Sequence, residues 1–160
     1  ILYSAIVYML NSAEYFSQEE NKIMTTLFIN GSPNKNGNTV ALVKRLLRNQ
    51  EYETLHLADY KIYDYGQDFL DDQFKEVIQK VFAADTLVIG SPVYWHSING
   101  LVRNFLDRQY GVVTDESVGK KLYFIFQGSA STQEVLEMGD YTMCRYAGLY
   151  GMDYLGMVNS

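Results

Sequence analysis

The sequence predicts an α/β domain in which a parallel sheet lies between two layers of helices. Three observations point there. From residue 25 onward, short apolar runs alternate with amphipathic stretches of helical period. The run Thr86-Leu87-Val88-Ile89-Gly90 is apolar almost throughout, as a strand is when both faces of a parallel sheet are covered. The intervening stretches are long enough to be crossover helices, and right-handed crossovers bring every strand's C-terminal end to one edge of the sheet.

A first strand is expected over residues 25–30. A helix over 38–49 follows, with Val40, Leu42, Val43, Leu46 and Leu47 on one face. Residues 52–58 read as the second strand and 58–68 as a tyrosine-bearing loop. A helix over 70–84 turns Phe74, Val77, Ile78, Val81 and Phe82 inward. The third strand spans 86–90, and a helix over 98–110 carries Leu101, Val102, Phe105 and Leu106. Residues 121–126 form the fourth strand, 132–146 a helix and 154–158 a fifth strand. Residues 1–23 read as an extension to a domain over 24–160. Residues 1–10 are apolar but too short to span a bilayer, and 12–21 are polar enough for a short helix. Met24 stands directly before the first strand, which suggests that the extension is either non-native or a helix docked on the domain.

The 160 residues fit one domain, 48% hydrophobic and 20% charged. The net charge of -6 argues against a nucleic-acid partner, which needs a basic surface. It does not exclude a small anion, because backbone N–H groups bind phosphate on an acidic protein. The single cysteine, Cys144, allows neither an intrachain disulfide nor a cysteine-held metal, and its apolar surroundings suggest a buried small residue. His56 reads as structural. No metal site, catalytic side chain or membrane association is expected, and the location is expected to be cytoplasmic.

The two prolines, Pro33 and Pro92, each stand in a Gly-Ser-Pro triplet after a strand. Gly128-Ser129 follows a third strand. All three loops lie on the edge where ligands bind in open α/β sheets. The first loop, 31–39, leads into a helix N-terminus, which favours an anion. Ser32, Asn38 and Thr39 add donors there and Gly37 permits a close turn. An ordinary capped polar loop explains the same residues. The second loop, expected over 90–96, sets Tyr94 and Trp95 on the edge. They serve either as a lid on the core or as a wall for a flat heteroaromatic ring. Phosphate at one end and a planar ring at the other is the shape of FMN.

"GSPNKNGNT" and "GSPVYWHSINGLVRNFLDR" resemble the flavodoxin-like NAD(P)H-dependent FMN reductases and quinone reductases. The likeness extends over about residues 24 to 158 in order and spacing. It implies a flavodoxin-like three-layer sandwich with a five-stranded parallel sheet in the order 2-1-3-4-5. It further implies FMN as cofactor, with Ser32, Asn34, Gly37, Asn38 and Thr39 about the phosphate. Pro92, Val93, Tyr94 and Trp95 would line the ring and ribityl chain, with Gly128 and Ser129 on the far side. The flavin would carry the chemistry, taking electrons from NAD(P)H and passing them to a quinone, a nitro or azo compound, free flavin or a metal ion. Asn104, Asp107 and Arg108 match the helix after the ring loop, and Asp107 and Arg108 read as structural or as a subunit contact.

The absence of cysteine from residues 59–65 removes the iron–sulfur variant of the family. No helix follows the fifth strand, so one face of the sheet is expected to be thinly covered. That, together with an apolar surface through Tyr94, Trp95, Phe105, Leu106 and Tyr110, suggests a homodimer. The rival reading is a flavodoxin-type carrier that binds FMN without NAD(P)H activity.

Overall fold

The structure, a computed structural model, describes residues 24–129 and 131–159. The expected helix over 12–21 and the rest of the extension lie outside the described residues. The strands are β1 (Thr26–Asn30), β2 (Glu53–His56), β3 (Thr86–Tyr94), β4 (Ser97–Ile98), β5 (Lys121–Gln127) and β6 (Asp153–Val158). Five of them run parallel in the order β2-β1-β3-β5-β6, which is the expected path. The sixth, β4, is a two-residue antiparallel addition to β3 that the sequence reading missed.

The helices are α1 (Asn38–Leu46), α2 (Phe74–Ala83), α3 (Gly100–Asp107) and α4 (Gln133–Leu149). Two cores flank the sheet. The larger joins Leu27, Ile29, Leu87, Ile89, Leu122 and Phe124 to residues of α2, α3 and α4. The smaller packs Phe28, Val88 and Ile125 against Val40, Leu42 and Val43 of α1. Among the described residues α1 is the only helix packed into that second core. Phe28, Phe105, Phe124 and Phe126 are fully buried, each contributing roughly 1.5–3 kcal/mol relative to exposure. Across the larger core, Tyr146 donates to the Gln109 side-chain oxygen at 2.8 Å, bracing α4 against the end of α3. Burial pushes the Tyr146 phenol well above its ordinary pKa.

Several boundaries differ from expectation for local reasons. Helix α2 begins at Phe74, not residue 70, because residues 69–72 are held in a turn. Asp71 accepts from Lys61 and Tyr63, Arg108 bonds Asp72, and Leu70 stays exposed. Helix α3 begins at Gly100 because Ile98 pairs with Val93 and the Asn99 side chain caps Val102 N at 3.2 Å. Helix α4 runs on to Leu149 and stops at Gly151, whose φ of 67° suits a glycine past a helix end. Cys144 is exposed, contrary to expectation, because Gly139, Met143, Tyr146 and Ala147 form the inward face of α4. Phe105 and Leu106 are buried rather than part of an outer apolar surface.

Candidate functional site

The parallel register aligns the strand ends that carry the three Gly-Ser pairs. Asn30 stands beside Gly90, and Pro92 beside Gln127. The Gly31 N–H donates to the Gly90 carbonyl at 2.8 Å. Each glycine makes room for the helix that follows the other strand. A Cβ on Gly31 would lie 2.2 Å from the Val102 methyl of α3, and one on Gly90 would lie 2.6 Å from the Thr39 methyl of α1. The repeated triplet is therefore a packing device. Two neighbouring strands admit two helix starts, one on each face.

Asn99 ties the second triplet down. Its backbone N–H donates to the Ser91 hydroxyl at 3.0 Å, and its side-chain NH₂ donates to the Gly31 carbonyl. Asn99 and Ser91 are both buried. Sequence reading passed over Asn99, although an Asn just before a helix is a capping signal. It also missed Asn30, whose only trace was a polar residue closing an apolar strand.

The loop from Gly31 to Gly37 is bonded within itself. Asn34 N–H donates to the Ser32 hydroxyl at 3.1 Å, and Asn36 N–H to the Asn34 side-chain oxygen at 2.9 Å. Lys35 does not turn toward the helix start but pairs with Asp59 at 2.6 Å. Helix α1 has Gly37 at its N-cap and no side-chain cap. The N–H groups of Asn38, Thr39 and Val40 find no acceptor among the described residues, since the first helical bond belongs to Ala41. Thr39 is 2% exposed, and its hydroxyl makes no bond to described residues. Three free N–H groups, the neighbouring Thr39 hydroxyl and a helix dipole make a cradle for an anion such as a phosphate. At the two ends of this loop Ser32 and Thr39 are buried, whereas Asn38 is exposed.

The ring loop is not a loop. Strand β3 continues through Pro92, Val93 and Tyr94 past the sheet edge and returns as β4. Between Tyr94 and Ser97 only Trp95 and His96 make the turn, with φ of 48° and 59°. Positive φ at both central residues defines the primed hairpin turn, which Asn and Gly ordinarily occupy. Trp95 is 97% exposed at the tip and Tyr94 is half exposed. Val93 packs under Gly128, where a Cβ would meet Val93 Cβ at 2.7 Å. So Pro92, Val93 and Gly128 come together, whereas Ser129 and Trp95 stand out from them.

Arg108 has the structural role expected of it, and Asn104 shares it. Asn104 donates to the Ile62 carbonyl at 2.8 Å, and Arg108 to the Tyr63 carbonyl at 2.7 Å.

The sheet order, the helix start at the β1–β3 switch point and the loops above it define a flavodoxin-like α/β protein. The match is closer than the fold: the profile of the NADPH-dependent FMN reductases fits residues 24–143, and the chain belongs to that family. Among curated proteins it is 36% identical over 98 residues to an iron-sulfur flavoprotein of Archaeoglobus fulgidus, covering 53% of this chain and 48% of that one. It is 33% identical over 99 residues to an FMN-dependent NADPH-azoreductase of Staphylococcus haemolyticus, covering 52% and 51%. The chain thus matches about half the length of the curated relatives. In fold it is similar to the Trp repressor binding protein of Bacillus subtilis, with a TM-score of 0.71 at 19% identity over 84% of this chain and 85% of that one.

Proposed function

We propose that this chain is an FMN-dependent oxidoreductase that moves electrons from NAD(P)H to a small-molecule acceptor. The observation behind this is the anion cradle at the start of α1, set beside an aromatic hairpin on the same sheet edge. The residues fit the cofactor. Ser32, Asn38 and Thr39, with the free N–H groups of α1, hold the phosphate, and Asn34 and Gly37 shape the turn around it. Pro92, Val93 and Gly128, packed together, form one wall for the ring, with Tyr94, Trp95 and Ser129 standing at its rim rather than on an opposite side. FMN, when bound, supplies hydride and electron transfer, so no side-chain nucleophile is required. The protein's part is to anchor the phosphate, to keep one ring face open and to present backbone N–H groups from the loop after β5. Family membership supports this reading over a flavodoxin-type carrier. Purified protein is expected to bind FMN and to oxidise NADH or NADPH when given a quinone or azo dye. FMN binding without nicotinamide oxidation would favour the carrier.

The working unit is residues 24–160, in keeping with the family match beginning at residue 24. The described residues contain no helix long and apolar enough to cross a membrane. A cytoplasmic location follows from dependence on a reduced nicotinamide.

A homodimer completes the reading. Arg103, Leu106, Asp107 and Tyr110 of the α3 region face Tyr141, Arg145 and Leu149 of α4 across a groove of about 370 Å³. Tyr65, Tyr110, Met138, Tyr141 and Leu149 are each more than half exposed. At roughly 100 Å² apiece they offer about 500 Å², against about 800 Å² a side in a stable interface. Arg103, Arg145 and Asp107 have no ion-pair partner among the described residues, and both signs on one face suit a two-fold contact.

A further inference from the structure

We propose that His56 is a positioning residue for the phosphate loop, acting through the side-chain amide of Asn30. The inference rests on the reading of residues 31–39 as the FMN phosphate site. Asn30 closes β1, is fully buried, and stands in register beside His56 at the end of β2.

The orientation of the amide follows from one backbone group. The Ser32 N–H meets the Asn30 side chain at 3.1 Å. An N–H only donates, so the atom facing it is the amide oxygen. The NH₂ group therefore faces the Ser32 carbonyl at 3.3 Å and His56 Nδ1 at 2.9 Å. NH₂ also only donates, so Nδ1 must present its lone pair and the ring proton sits on Nε2. The tautomer of His56 is thereby fixed by Ser32, two bonds away.

The same line continues into the loop. The Ser32 hydroxyl accepts from Asn34 N–H, and the Asn34 side chain accepts from Asn36 N–H. The Asn34 carbonyl faces Gly37 N–H at 3.5 Å, at the threshold of α1. Since the Ser32 oxygen already accepts, its hydrogen is left to donate to an incoming phosphate oxygen. His56 is the outer anchor of this line. Without an acceptor at Nδ1, the buried amide keeps an unsatisfied N–H and is held only by its two bonds to Ser32, so the aim of Ser32 loses its outer anchor.

The test uses the apoprotein and two variants. His56→Asn places an amide oxygen near the position of Nδ1, whereas His56→Leu has no acceptor. Nitrogen-15 NMR of the wild-type apoprotein is expected to show Nδ1 unprotonated and Nε2 protonated, a readout that needs no flavin. By calorimetry, His56→Leu is expected to weaken FMN about tenfold, the value of one hydrogen bond, while riboflavin changes less than about twofold. His56→Asn is expected to restore most of the FMN affinity. A proton on Nδ1 overturns the proposal, as does equal weakening of FMN and riboflavin in His56→Leu, or an unchanged FMN affinity. Should His56→Leu not fold, the NMR tautomer and the FMN-to-riboflavin ratio of His56→Asn decide: a wrong tautomer, or a ratio well below wild type, overturns the proposal. A wild-type protein that binds both flavins equally would overturn the phosphate-site reading itself, while a wrong tautomer in a protein that prefers FMN overturns the role of His56 alone.

Discussion

Thr39 does two jobs with one side chain. Its methyl fills the space left by Gly90, and its hydroxyl is left unbonded at the helix start. Two separable effects follow. Asn38→Ala combined with Thr39→Ala is expected to weaken FMN by roughly 1.5–3 kcal/mol for each charge-assisted bond lost, with riboflavin much less affected. Equilibrium dialysis with both flavins measures this, and equal losses would place the phosphate elsewhere. Gly90→Ala acts on packing instead. Its Cβ would lie 2.6 Å from the Thr39 methyl and 2.9 Å from the Phe28 ring, so overpacking of about 1–3 kcal/mol is expected, read as a lower Tm. The motif residues were legible because Gly, Ser, Asn and Thr before a helix have a known chemistry. Asn30 and Asn99 were not, because beside their local bonds each ties to a residue distant in sequence, Asn30 to His56 across 26 positions. Asn99 reaches Gly31 across 68 positions, and no local pattern announces such a bond.

At the scale of elements, the hairpin of β3 and β4 and the segment 60–72 are where structure adds most to sequence. Trp95 and His96 occupy left-handed positions at some cost in backbone strain. Replacing the pair with Asn-Gly is expected to raise thermal stability by about 1 kcal/mol while weakening flavin binding, because the turn relaxes as the rim of the wall is removed. A stability loss instead would mean that the aromatic tip makes contacts worth more than the strain. Segment 60–72 is held by the largely buried pair of Arg108 and Asp72, with the Arg108 guanidinium 4.7 Å from the Phe74 ring centre. Arg108→Gln leaves Asp72 unpaired and is expected to cost about 3 kcal/mol or more in chemical denaturation. In the same segment, hydrogen bonds from Lys61 and then Tyr63 hold the Asp71 carboxyl below its ordinary pKa. A depressed folded-state pKa means that the tie is fully present above about pH 4 and is lost as pH falls through the lower, folded value. The Tyr63 and Phe69 rings stack at 4.2 Å, and their NMR shifts are expected to change over that acidic range in the wild type but not in Asp71→Asn. Amphipathic helices were legible from spacing. The turn at 69–72 was not, because Arg108, just past α3, and side chains of the preceding loop impose it.

For the whole molecule, strand order was legible because alternating strands and helices leave few right-handed arrangements, and the two motif-bearing strands had to flank the switch point. The short β4 left no such trace, since two residues carry no periodicity. The α3–α4 face leads to a prediction at this scale. Sedimentation at micromolar concentration is expected to show a dimer, and Tyr141→Glu with Leu149→Glu to give a folded monomer. A wild-type monomer with ordinary turnover would remove the dimer from the functional account. Truncation to residues 24–160 is expected to leave FMN affinity unchanged. A folded truncation that no longer binds would show that the extension serves the site.

Trp95 is the chain's one tryptophan, and it stands at the hairpin tip rather than in either core. Its indole is already bathed in solvent when the protein is folded, so its fluorescence should change little when the domain unfolds. A flavin seated against the hairpin, by contrast, would quench it by energy transfer. Intrinsic tryptophan emission is therefore a nearly dedicated optical gauge of cofactor occupancy in this protein, and a poor thermometer of its folding.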